Sequence, residues 1–198
     1  MLSRFLKNEQ GAAMVEFAFV APVAITMVMA GLDLGYQQYL RAVIGGSVES
    51  VARKASVGSG MTSAQIDTSI KTKVAAVLPA SARKDAITIT KKSYYNFSRV
   101  GKPEKLTTDL GTIGAYDSAT DCYEDANENN KYDAAGGASG IGGADDIVFY
   151  QIDVQFPRLF PVAGLLGWSP NQTATVKSII RNQPYDGQSA PKILCKTA

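Results

Sequence analysis

The sequence predicts an α+β fold in which a long N-terminal helix, membrane-spanning over its first half, packs on a small antiparallel β-sheet. Three observations predict it. Residues 12–32 are almost wholly apolar, and helical spacing then continues to residue 57. Two-residue alternation with β-branched side chains takes over only later, at 86–97, 147–156 and 173–181. A chain of 198 residues has room for one span and one domain.

The apolar stretch reads GAAMVEFAFVAPVAITMVMAGLDL from Gly11 to Leu34. As a helix, its 21 residues from Ala12 to Leu32 extend about 32 Å, against a hydrocarbon core of about 30 Å. It has no polar face of the kind a surface helix keeps. The single charge inside is Glu16. An acidic group within a span costs roughly 2.5–3.5 kcal/mol, so Glu16 either snorkels to the headgroups or has a partner.

Before the span stands a short polar and basic leader, MLSRFLKNEQG. Arg4 and Lys7 flank that side, whereas Asp33 is the first charge beyond the span and Arg41 comes later. The positive-inside rule then puts the N-terminus in the cytoplasm and the rest outside. A secretory signal is the competing reading, but its apolar core is about 7–15 residues with the cut at its far end. The expected division is a leader at 1–11, a transmembrane segment at 12–34 and an extracytoplasmic α+β domain at 35–198.

Beyond the span, Leu32, Tyr36, Tyr39, Leu40, Val43, Ser47, Val51 and Ala55 recur at helical steps. Gly45-Gly46 allows a bend, and Gly58-Ser59-Gly60 ends the helix. Ser63 is placed to cap a second helix running through Val77, which Leu78-Pro79 stops. Residues 100–145 lack a sustained period, with room for a fourth strand within 104–120. In the connector 157–168, Phe160, Leu165, Leu166 and Trp168 either close the core between two strands, the commoner arrangement, or form an exposed docking or membrane-interface patch.

Two features could tie down the irregular stretch. One is the run from Asp125 to Asp133, which offers oxygen side chains at positions one, three, five and nine from Asp125, Asn127, Asn129 and Asp133. The Lys131 backbone carbonyl stands at position seven, as in an EF-hand-type Ca2+ loop. The pattern departs twice: Asn130 replaces the usual Gly, and Gly136 stands where a bidentate Glu is expected, leaving Asp145 or Asp146 to substitute. Metal-free Asx-rich turns are common, so calcium and a solvated turn both fit. The other feature is a pair of cysteines, Cys122 and Cys195, too far apart for a CxxC site and expected to form a disulfide in an oxidising compartment.

Composition narrows the function classes. The chain has no histidine, which removes Ser-His-Asp and Cys-His catalysis. No phosphate-binding Gly loop, nucleophile elbow or convincing carboxylate pair is present, and an enzyme is not expected. A net charge of +2 without a long basic run gives no footprint for nucleic acid.

Gly11 followed by Ala12-Ala13-Met14-Val15-Glu16-Phe17 resembles the prepilin processing site of type IV pilins. With Pro22 in mid-span, GLDLGYQQY at its end and the C-terminal run Arg181-Asn182-Gln183-Pro184-Tyr185, the chain resembles the TadE-like pseudopilins of tight-adherence (Flp-type) pili. The resemblance implies a type IV pilin-like fold and cleavage by a prepilin peptidase between Gly11 and Ala12. It also implies a structural role in pilus assembly, adhesion or biofilm formation, with other pilus or pseudopilin subunits and the inner-membrane assembly machinery as partners. In that family Glu16 meets a neighbouring subunit's amine. At about 4 Å and an effective dielectric near 20 the attraction is about 4 kcal/mol before desolvation. The competing function is a single-span anchor displaying a calcium-stabilised binding domain, neither processed nor polymerised.

Overall fold

A computed structural model of the chain describes residues 10–57, 60–79, 86–160, 164, 167–183 and 186–195. The leader at 1–9 and connector residues Leu165 and Leu166 lie outside the described residues. Helix α1 runs unbroken from Gln10 to Ser56, through Pro22 and through Gly45-Gly46. Thr26 donates its hydroxyl to the Pro22 carbonyl, 2.6 Å away, one turn below. Helix α2, Ser63–Val77, begins one residue earlier than expected in its cap. Thr62, not Ser63, is the N-cap, and Gln65 completes a reciprocal capping box with it.

The first sheet contains β1 (Ile87–Tyr94), β4 (Ala138–Ser139), β5 (Ile147–Pro157) and β6 (Asn171–Arg181), ordered β4-β1-β5-β6 and antiparallel throughout. The second contains β2 (Leu106–Thr108), β3 (Cys122–Asp125) and β7 (Lys192–Cys195), ordered β2-β3-β7. The expected α+β arrangement is present, with two sheets where one small sheet was expected. The fourth strand expected within 104–120 is β2.

Helix α1 changes its surroundings along its length. Up to Leu34 the α1 side chains are mostly exposed; from Leu40 onward Leu40, Ile44, Val48, Val51 and Ala52 are buried. These pack with Ile66, Ile70 and Val74 of α2 and with Val148, Tyr150, Ile152, Val154, Phe156 and Ala174 of the first sheet. The i, i+3/i+4 spacing of the α1 set faces the alternate side chains of β5, so each element buries the stripe its own period creates. Tyr36 meets Phe156 edge-on at 6.1 Å, marking the limit of this core nearest the uncovered stretch of α1.

The connector does not close the core through the residues described. Leu159 and Trp168 are 49% and 55% exposed, while Phe160 is half-buried. The commoner expectation is corrected at Trp168, because α1 and α2 already cover the sheet face.

Candidate functional site

Gly11, Ala12, Glu16 and Phe17 all lie on the exposed part of α1. A Cβ added at Gly11 would meet nothing within 4 Å, so packing inside this chain does not require glycine there. Glu16 has no ion-pair partner among the described residues. Met14, Phe17, Phe19, Val20, Met27 and Val28 are exposed around the same segment. Among the described residues one helix, Gly11–Ser56, is long and apolar enough to cross a membrane, and its most apolar stretch is covered by no other described part of the chain.

Where the uncovered part ends, Asp33 turns toward the domain. Its carboxylate takes the Arg158 guanidinium at 2.6 Å and the Leu159 backbone N–H at 3.0 Å. Arg158 donates a further bond to the Ser169 carbonyl at 2.9 Å, and its guanidinium stands 5.6 Å from the centre of the Trp168 ring. Gln37 reaches the Thr173 carbonyl from the next turn of α1. The end of the β5–β6 hairpin is thereby fastened at the end of the span.

The acidic loop closes on itself. Asp125, buried at the end of β3, accepts the backbone N–H groups of Asn129 and Asn130. Asn127 and Asn129 accept those of Asn129 and Lys131, making successive Asx turns. Both amide groups donate to Asp133 Oδ2. Glu128 and Asn130 take positive φ, the second at the position where the loop pattern prefers Gly. Lys131 keeps its side chain exposed.

The substitute carboxylates named from the sequence are engaged elsewhere. Asp145 pairs with Arg181 at 2.6 Å, and Asp146 accepts from Gly143 and Gln188. The carboxylate brought to the loop is Glu104, which the sequence spacing does not mark. It is 5% exposed and accepts the N–H groups of Ala126 and Asp133, one on each oxygen. Burial raises its pKa above the usual value, the two hydrogen bonds oppose the shift, and Asp125 and Asp133 add to it. Among the described residues, no three His, Cys, Asp or Glu side chains converge as a metal centre.

Cys122 and Cys195 form a disulfide, as expected, directly across the β3–β7 ladder. Tyr116, Tyr123 and Tyr132 stack or meet edge-on with ring centres 4.2–5.7 Å apart, holding the irregular chain against β3. The C-terminal run also has a structural job. Asn182 donates to the carbonyls of Ile141 and Gly143, and the Gln183 N–H caps the Ser56 carbonyl at the end of α1.

Residues 11–53 match the family model described as TadE-like protein. This is the family that the processing motif and span resemble, and the match ends before the β-sheets begin. No curated protein and no solved structure matches the chain.

Proposed function

From this TadE-like N-terminal segment we propose that the protein is a minor pseudopilin of a tight-adherence pilus system, cut by a prepilin peptidase after Gly11. The domain beyond the span lies outside the cytoplasm, and the protein acts structurally in pilus assembly or adhesion. The observation that carries this reading is the coincidence of the matched residues with the uncovered helix. A segment made to pack laterally against other subunits is apolar, unaccompanied and continuous with the domain it carries. Other pilus subunits and the inner-membrane assembly machinery are its partners.

The chemistry follows from α1. Cleavage between Gly11 and Ala12 exposes an α-amine, protonated near neutral pH, four residues before Glu16. Paired with Glu16 of an adjacent subunit it neutralises a carboxylate that has no ion-pair partner among this chain's described residues, and fixes the stagger between helices. N-terminal sequencing of protein purified from its native membrane tests the reading, with Ala12 the expected first residue. Uncut protein that still supports pili would refute it.

A second proposed element is calcium in the acidic loop, which the spacing of its oxygen side chains favours. Glu104 braces that loop by accepting the Ala126 and Asp133 N–H groups, and its pKa is raised first by burial, with Asp125 and Asp133 adding to the shift. Ca2+ takes hard oxygen donors of the kind this loop carries at alternate positions, and binding it would displace the Asn127 and Asn129 amide groups that now donate to Asp133. Asp125, Asn127, Asn129, Asp133 and the Lys131 carbonyl are the donors of this reading. Chelation should then lower the melting temperature of the full chain, and Asp125→Ala should remove that sensitivity.

A further inference from the structure

The exposed end of the β5–β6 hairpin sits beside the boundary of the apolar span. Asp33 is the first charge after residues 12–32, and it holds Arg158 and the Leu159 N–H directly. Trp168 is held against the same guanidinium. The hairpin's last ladder pair, Pro157 with Asn171, lies next to these contacts, so Arg158, Leu159 and Trp168 stand level with the outer end of the apolar stretch. The ion pair there leaves no net charge on the Asp33–Arg158 unit, while Leu159 and Trp168 remain half exposed.

We infer that Leu159 and Trp168 dock into the headgroup layer of the bilayer that α1 crosses, making the hairpin end a second membrane contact. The inference rests on the reading of α1 as a membrane span. Its occupant is lipid because Asp33, which holds Arg158 and the Leu159 N–H, directly follows the apolar stretch and stands between exposed Leu32 and Leu34 in sequence. An indole suits this depth: its ring body is apolar and its N–H finds water or headgroup oxygen. Asp33 and Arg158 satisfy each other and so enter the interfacial zone without bare charge. The domain is then held to the membrane at two points, and its tilt about α1 is restricted.

Trp168 is the chain's sole tryptophan, so its fluorescence reports this contact without substitution. The full chain is reconstituted in phosphatidylcholine–phosphatidylglycerol vesicles, and span insertion is scored separately by resistance to carbonate extraction. With the span inserted, Trp168 emission should shift to the blue, and lipid brominated high on the acyl chain should quench it about twofold more than lipid brominated near the chain end. An inserted protein whose Trp168 keeps solvent-like emission and escapes both lipids would overturn the inference while leaving the span intact. So would a blue shift that appears only on adding pilus proteins, which would assign the patch to a protein partner. Failure to resist carbonate would count against the span itself.

Discussion

Asp33 and Arg158, 125 residues apart in sequence, meet at 2.6 Å with both side chains mostly buried. They join the helix at its exit from the span to the far end of the longest hairpin. Removing one partner leaves the other charge poorly solvated, which is where such pairs have their largest effect. Asp33→Ala should lower stability by about 2–3 kcal/mol, and Arg158→Met with Asp33→Leu should recover most of it. Thermal unfolding of the wild type, Asp33→Leu, Arg158→Met and the Asp33→Leu/Arg158→Met double in one detergent measures the coupling. Additive losses would mean that the pair contributes little.

The disulfide predicts a different kind of loss. Cys122 and Cys195 are separated by 73 positions, and the chain-entropy estimate for closing such a loop is roughly 4 kcal/mol. Cys122→Ser with Cys195→Ser should reduce stability by up to that amount, with the second sheet opening before the first. Hydrogen exchange resolves the two, since β2, β3 and β7 should lose protection while β5 and β6 keep theirs.

Two carboxyls give the fold opposite responses to pH. Glu104 has a pKa raised above 4.5, chiefly by burial, so its favourable contribution is present when protonated and is lost as pH rises through the folded value. Asp121 is shifted below 3.8, first by the Asp117 N–H and then by that of Leu110, so its contribution holds above 3.8 and is lost as pH falls. In chelator, the melting temperature should pass through a maximum between these limits. Glu104→Gln should flatten the alkaline side, and Asp121→Asn the acid side. Calcium should also flatten the alkaline side in the wild-type chain; a slope unchanged by calcium would leave the loop a metal-free turn.

Glu16→Gln separates processing from assembly. The neutral amide enters a bilayer more easily than the carboxylate, so insertion should be retained or improved. Crosslinking to neighbouring subunits and pilus production should fall. Equal crosslinking in the variant would return Glu16 to a snorkelling side chain.

Local pattern made much of the fold legible. α1, α2, β1, β5 and β6 each carry a period of their own over eight or more residues, and their observed bounds lie within about three residues of those read from it. The short strands were harder. β3 is the four residues CYED and β7 is KILC, too brief to show alternation, and their pairing depends on a partner some 70 residues away. The acidic loop was visible because its donors are close in sequence. Glu104 was not, because it arrives from another strand's entrance and stands alone among Lys102, Pro103 and Lys105. The same holds for Asp33 and Arg158: each reads as an ordinary surface charge until the hairpin brings them together.

The unbroken course of α1 through span and core has a mechanical consequence. Leu40, Ile44 and Val48 are buried on the same rod that carries Glu16, with no linker between them. A pull applied to the lipid-embedded end is borne axially by backbone hydrogen bonds and reaches the sheet as shear along the α1–β6 contact. Asp33–Arg158 lies first in line to resist it. On the proposed reading of α1 as a span, drawing the protein out of a bilayer would load the domain's own core, and the force it withstands would be set by that interface rather than by the flexibility of a tether.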